Sequence, residues 1–308
     1  MDLRQLKYFV CIVESGSVSR ASKELHIAQP ALSGQVARLE AELGVRLLTR
    51  TVRGVTPTES GAAVFAHAKA VLKQVAETQS IAVQAESGIS GLVTLGLPWT
   101  VASLIGLNLL RRVRAELPAV RLVITEGPSA VLSAFLAQGK LDLAVLCDGN
   151  NSNGLKLMPI VEEPLLLVGA SGTLDRAEPW TLENCAALPF IMLSRPNGIR
   201  ESIEEAWLKR QLAPRVVAEI NGASLLMNAI RAGIGFSILP SCAMEESLQR
   251  EDIDACELEG DALTRTVFLG VPRTFPLGRA AEVVYGFVHE LSIQAVQSRK
   301  WRARTIKT

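Results

Sequence analysis

The stretch Ser17–Gly44, SVSRASKELHIAQPALSGQVARLEAELG, constrains the fold more than any other part of the chain. Val18, Ala21 and Leu25 recur at helical spacing behind Ser17, a residue suited to cap a helix start. Ala31, Leu32, Val36, Leu39 and Leu43 repeat that spacing in a second helix, with Pro30 in its first turn and Gly44 at its end. Only His26-Ile27-Ala28 separates the two, with Ile27 as an apolar plug. Helices joined so tightly share a core by crossing steeply, which is the geometry of a helix-turn-helix. The outer face of the second helix then carries Gln29, Ser33, Gln35 and Arg38, whose amide, hydroxyl and guanidinium groups can read base edges and phosphates in a major groove. A helical hairpin with a solvated polar face fits the same residues.

The residues beyond Gly44 favour the helix-turn-helix. Residues 46–56, RLLTRTVRGVT, read as two short β segments around a basic turn, a wing in which Arg50 and Arg53 can sit on phosphates. With LKYFV before it and VTPTESG after it, the block resembles the LysR-type transcriptional regulators. The matching residues are Phe9, Gly16-Ser17, Ala21, Leu25, Gln29-Pro30-Ala31-Leu32-Ser33, Leu39-Glu40, Leu43-Gly44, Leu47, Arg50 and Thr58-Glu59-Ser60-Gly61. Three positions depart from the family pattern. Ala28 stands where a Ser or Thr cap is usual, Ser22 where Ala is usual, and Leu48 where Phe is usual. The first weakens the start of the recognition helix by about 1 kcal/mol. The expected DNA contacts are Gln29, Pro30, Ser33, Gln35, Arg38, Arg50 and Arg53. LKYFV, HIAQPALS, RTVRGVTPTE and VRAELP look most like the nitrogen-assimilation control subgroup of the family.

A chain of 308 residues with 48% apolar content and a formal charge of +1 is ordinary for a globular protein, so overall charge does not point to nucleic acid. Local charge does. Arg20, Lys23, Arg38, Arg46, Arg50 and Arg53 face only Glu24, Glu40 and Glu42 across the helix-turn-helix and wing. The five cysteines form no CxxC pair and the three histidines lie far apart, which argues against a disulfide framework, a metal site or a cofactor and suits a reducing cytoplasm. Met1-Asp2-Leu3-Arg4 opens a helix with no secretory apolar segment. Ser87–Leu110 carries no charge, but its glycines and Pro98 describe a strand, a loop and a helix start, not a membrane span.

Leu6, Phe9, Val10 and Val13 give the first helix its buried stripe. After the wing, Thr56-Pro57-Thr58-Glu59 matches a capping box, with Thr58 as the alternative cap. The next helix runs to about residue 86 and carries Val64, Ala68, Val71, Leu72, Val75 and Gln79 near one face. That stripe packs on its own chain or on a second copy; the resemblance implies a dimer contact. Beyond the hinge 87–91, strands and helices alternate. The strands 92–96, 120–126 and 141–147, with helices 103–117 and 129–139, make a βαβαβ order and predict a parallel α/β sheet. A second α/β lobe comes next, and the helix 279–298 returns to the first. Gly139-Lys140-Leu141-Asp142-Leu143-Ala144-Val145 and Ala232–Pro240 also resemble the family, which implies a two-lobed fold similar to periplasmic solute-binding proteins with an effector in its cleft. The expected domains are a winged helix-turn-helix (1–58), a dimerising linker helix and hinge (59–90) and an effector domain (91–308). Its lobe I covers about 91–161 and 266–308, and lobe II about 162–265.

Ligands of open parallel sheets sit beyond the carboxyl ends of strands, where helix N-termini point. Trp99, Thr100 and Ser129 occupy such loops in the first lobe, and Ser194, Arg195 and Asn197, with Asn221 behind them, in the second. Hydroxyls at helix starts favour a small carboxylate or oxyanion, and Arg195 could add a full charge. Each hydroxyl could equally be a helix cap. The basic tail 299–308 reads as a solvated end. No GxSxG elbow or phosphate-binding loop supports an enzyme, and a transported-solute receptor would not carry a helix-turn-helix. The reading is a cytoplasmic, sequence-specific regulator, not an enzyme. Its partners would be double-stranded DNA, a small anionic effector, further copies of itself as dimer and tetramer, and RNA polymerase. The alternative is a regulator without an effector, controlled by its own abundance.

Overall fold

The computed structural model describes residues 1–51, 54–147, 154–175, 179–259, 263–273 and 276–306. Contacts divide the chain into two compact units, Met1–Gly91 with Ala137–Lys140, and Leu92–Leu136 with Leu141–Thr308. No helix among the described residues is long and apolar enough to cross a membrane.

In the first unit α1 (Leu3–Ser15), α2 (Val18–Glu24) and α3 (Gln29–Leu43) precede a ribbon of β1 (Leu48–Thr51) and β2 (Gly54–Pro57), and α4 (Glu59–Ser87) comes after it. Local chemistry sets each boundary. Asp2 and Gln5 form a reciprocal capping box at α1, and Ser17 accepts the Arg20 N–H at α2. Gly16 and Gly44 close α1 and α3 in the left-handed conformation. The turn between α2 and α3 places His26 at φ 53°. The start of α3 has Pro30 but no side-chain cap at Ala28. Phe9, Ile12, Ala21, Leu32, Leu39 and Leu47 are fully buried together, and Ile27 packs against them. The wing is held by two devices the sequence does not show. Glu40 Oε1 accepts the Leu47 and Leu48 N–H groups at 2.7 and 3.1 Å. The Val55 N–H donates to the Gly16 carbonyl at 2.9 Å.

Of the two caps open at α4, the structure uses Thr58, not Thr56. Thr58 Oγ1 accepts the Gly61 N–H at 2.9 Å and donates to the Arg46 carbonyl at 2.7 Å. A Cβ on Gly61 would lie 1.9 Å from the Leu47 carbonyl oxygen, so only glycine lets the helix start here. The apolar stripe of α4 is divided. Val64, Phe65, Ala68 and Leu72 pack into the unit's own core, while Val71 is 39% exposed.

The second unit begins with β3 (Ser90–Leu97), α5 (Trp99–Glu116), β4 (Ala119–Glu126), α6 (Ser129–Ala137) and β5 (Leu143–Cys147). It continues through β6 (Leu155–Ala170), α7 (Leu182–Cys185), β7 (Pro189–Leu193), α8 (Gly198–Lys209), β8 (Arg215–Ile220), α9 (Ala223–Arg231) and β9 (Ser237–Pro240). Then come α10 (Glu245–Gln249), β10 (Ile253–Glu257), β11 (Thr264–Pro272), α11 (Arg279–Gln297) and β12 (Arg304–Thr305). One sheet runs β10-β6-β11-β5-β3-β4, with β9 and β12 also on β6; β7 and β8 form a separate parallel pair. β3 and β5 are parallel, as the alternation predicts, but β6 and β11 are antiparallel partners. The 16-residue β6 pairs with β11 along its first part and with β9 and β10 along its second, so one strand belongs to both lobes.

Two family-like stretches have clear structural work. Asp142 is buried and accepts both the backbone N–H and the hydroxyl of Thr94, pinning the start of β5 to β3. Gly235 passes so close to the Pro189 carbonyl that a Cβ would lie 2.4 Å away.

The tail corrects the solvated end expected from its charge. Trp301 is 1% exposed, β12 pairs with β6, and the Ile306 N–H donates to the Ile160 carbonyl at 2.9 Å. A basic composition describes the exposed residues around Trp301, whereas the indole supplies enough apolar area to anchor them.

Candidate functional site

Two features of the molecule can meet other molecules. The first is the outer face of α3. Gln29, Pro30 and Arg38 are exposed, and Ser33 and Gln35 are half-buried beside them. Gln29 and Ser33 are four residues apart and so share a face of the helix. Arg50 lies in β1, opposite Val55 in the ribbon; Arg53 lies outside the described residues.

The second is a cavity of about 350 Å³ in the second unit. Four helices begin at its wall: α5 with Pro98, Trp99 and Thr100, α6 with Pro128 and Ser129, α8 with Asn197 and Gly198, and α9 with Ala223. Neither α5 nor α9 has a side-chain cap. Each helix start carries roughly +0.5 elementary charge on its unpaired N–H groups. Ser194 and Asn221 complete the wall from the second lobe. The exposed Glu126 also lines the cavity, an acid the loop sequences 97–101 and 127–130 do not contain.

Neither Thr100 nor Ser129 simply caps its helix. Thr100 is buried, and its Oγ1 accepts from Arg265 Nη2 at 3.1 Å. Ser129 Oγ accepts the Cys147 N–H at 2.8 Å, tying α6 to the end of β5. Each hydroxyl still has a proton to donate. Asn197, in contrast, does cap, accepting the Arg200 N–H at 3.3 Å.

Arg195 does not line the cavity. Its side chain is 64% exposed and pairs with Glu204 at 2.5 Å, in a cluster where Arg200 also binds Glu204 and Glu219. Hydrogen bonds that Arg200 donates to Glu219 and Glu204 raise its pKa. The ion pair of Arg195 with Glu204 on α8 engages its guanidinium away from the cavity lining.

The cation that does line the cavity is Arg265, which sequence reasoning missed. It sits on β11 directly opposite Glu163 on β6. Its Nε and Nη2 donate to Glu163 Oε1 at 2.8 and 2.7 Å, and both side chains are almost fully buried. Glu163 Oε2 accepts the Trp301 Nε1–H at 2.6 Å. Burial opposes the guanidinium charge, but Cys147, Glu163 and Cys242 around it raise its pKa above the ordinary arginine value. Burial likewise pushes the Cys242 thiol well up, and Glu163 adds to it. The sequence signal was present but mute: Arg265 shares the buried parity of Val267 and Leu269, and Glu163 that of Val161 and Leu165. Only the strand register shows that the two charges meet.

A winged helix-turn-helix unit, joined in one chain to a two-lobed α/β unit whose cavity gathers four helix N-termini, defines a DNA-binding regulator with a ligand-binding type of domain. The bacterial regulatory helix-turn-helix protein model of the lysR family matches residues 3–62, and the LysR substrate binding domain matches residues 86–292. The chain belongs to the LysR family of transcriptional regulators. It is 34% identical over 304 residues to the nitrogen assimilation regulatory protein nac of Escherichia coli strain K12, covering 98% of this chain and 99% of that one. This agrees with the subgroup its DNA-binding half resembles. Among solved structures, ArgP from Mycobacterium tuberculosis shares the fold at a TM-score of 0.76 and 19% identity, covering 95% and 97% of the two chains. Full-length CbnR, solved in complex with its target DNA, matches at a TM-score of 0.61 and 22% identity, covering 95% and 100%.

Proposed function

We propose that this regulator reads its operator through Gln29, Pro30, Ser33, Gln35 and Arg38, grips phosphates with Arg50 and Arg53, and responds to a small anion held in the cavity of its second unit. The observation that carries the second half is the convergence of four helix N-termini and Arg265 on one cavity. Trp99, Thr100, Ser129, Ser194 and Asn197 are its other contacts. The exposed Val71 on α4 supports dimerisation along that helix. Tetramers and contact with RNA polymerase follow from the same role. CbnR, on the same fold, is seen with DNA, which supports the first half.

A second reading has its own observation. Arg265 is already paired with Glu163, and the Thr100 and Ser129 oxygens already accept protein hydrogen bonds. A cavity satisfied in this way suits a regulator controlled by its own abundance.

Two experiments test these readings. In salt-series titrations, Gln29→Ala should cost about 1–3 kcal/mol on the cognate site and little on random DNA. Arg53→Ala should weaken all sequences alike and lower the salt slope by about one charge. Equal losses for Gln29→Ala on both DNAs would remove its base-reading role. A calorimetric screen of small carboxylates and inorganic oxyanions addresses the cavity. Binding lost in the Thr100→Val, Ser129→Ala double variant supports the anion reading, and no binding at millimolar concentration favours the effector-free one.

A further inference from the structure

Trp301 ties the end of the chain to the cavity floor through one buried carboxylate. Glu163 has no solvent exposure, and its two oxygens serve donors from three segments of the chain. Arg265 and, at 3.6 Å, the Cys242 thiol donate to Oε1, and the indole N–H of Trp301 takes Oε2. Donors that share one carboxylate draw on the same negative charge, so strengthening one bond weakens the others. Arg265 is itself divided, between Glu163 behind it and the cavity in front.

We propose that the segment 301–306 is a strap whose seating sets the anion affinity of the cavity through Glu163 and Arg265. The inference rests on the anion reading of the cavity. The sign follows from the chain of competition. When the Trp301 N–H satisfies part of Glu163, less of the guanidinium charge is drawn backwards, and more faces the cavity. By reciprocity, an anion that engages Arg265 leaves Glu163 to Trp301 and seats the strap more firmly.

Most of the strap lies at the surface. Only Trp301 is fully buried; Arg302, Arg304 and Thr305 are exposed. Its other fastenings are few. β12 gives two register pairs with β6, the Ile306 N–H donates to the Ile160 carbonyl at 2.9 Å, and Arg304 pairs with Glu162 at 2.8 Å. The Arg302 N–H donates to Ser241 Oγ at 3.1 Å, with Ser241 Oγ donating to the Arg302 carbonyl at 3.4 Å. Ser241 adds a second route to the floor. Its neighbour Cys242 accepts from Arg265 Nη2 through Sγ at 3.4 Å, and from Ser103 of α5 through its carbonyl at 3.2 Å.

Two variants separate this coupling from plain structural support. Trp301→Phe keeps an aromatic ring, smaller than the indole, and removes the N–H; Glu163→Gln removes the charge that draws on Arg265. The probes are sulfate, acetate and benzoate, titrated calorimetrically into the full-length protein. Trp301→Phe should weaken anion binding roughly five-fold, the equivalent of one ordinary hydrogen bond. Glu163→Gln should strengthen anion binding even though it loosens the strap. In the wild type, saturating anion should slow amide hydrogen exchange at Arg302 and Ile306. Affinities that shift in the same direction in both variants, or exchange at Ile306 that ignores the anion, would overturn the proposal. If none of the probes binds the wild type, the anion reading fails, and the coupling is decided in the free protein. There Trp301→Phe should speed exchange of the β11 amides at 265–267 and leave β7 and β8 unchanged. Unchanged β11 exchange would overturn the coupling as well.

Discussion

The polar face of α3 and the cavity of the second unit reach their charge by opposite routes. The face of α3 draws on residues within ten positions of each other, exposed on one helix whose 3.6-residue period decides which of them point outward. The cavity takes its lining from segments between Pro98 and Arg265, and its buried cation Arg265 is placed by pairing between strands about a hundred residues apart. The same contrast separates two arginines. Arg195 stands in a loop that faces a cleft, yet it is neutralised by Glu204 on the next helix. Arg265 stands inside an apolar strand, yet it lines the cavity. A cation in a loop advertises itself in the sequence; whether it is available depends on the nearest acid in space.

The sharpest way to break that comparison is to remove the partner of the buried arginine. Glu163→Ala leaves the Arg265 charge unpaired in a low-dielectric interior and should destabilise the second unit by about 3–5 kcal/mol. Urea denaturation would show it, and a loss below about 1 kcal/mol would mean that Arg265 is solvated through the cavity. Thr58→Ala acts on the other region. It removes the α4 cap and the bond to the Arg46 carbonyl, and should cost about 1 kcal/mol. That loss should fall on the first unit alone, so a matching loss in the second would show that the units unfold together. The smallest effect is expected at Arg195→Ala, within about 0.5 kcal/mol because the pair it breaks is exposed. Its anion binding should equal the wild type. A variant that no longer bound anion would reverse the roles of the two arginines.

Much of the fold was legible because it rests on local rules. Ser17, Pro30 and Gly44 mark helix ends by what their own atoms can do, and Thr58 was already one of two possible caps for α4. The choice of Thr58 over Thr56 waited on the Arg46 carbonyl and on the approach of Gly61 to Leu47, contacts that only the folded ribbon creates. The α4 stripe was visible as a periodicity, but not its division. Leu72 turns into the core of its own unit while its neighbour Val71 does not, because α1 covers one face of α4 and adjacent residues point to different faces.

The cavity shows where local rules end. Strand-to-helix junctions placed Trp99, Thr100, Ser129, Ser194 and Asn197 on its wall from sequence alone, since helix starts and strand ends follow from the alternation of periods. The partners of their hydroxyls, the pairing of Arg265 with Glu163 and the burial of Trp301 could not be read the same way. Each depends on the register of β6 against β11 and β12. The chain's parity says which residues of a strand share a face, but the neighbouring strand decides what they meet. The sequence by itself thus determined the helix-turn-helix, the alternation of two lobes and the places where a ligand could sit. Tertiary structure decided which charge sits at the cavity and that the end of the chain is bound to it, because an ion pair in a sheet belongs to two segments whose separation along the chain says nothing of their distance in space.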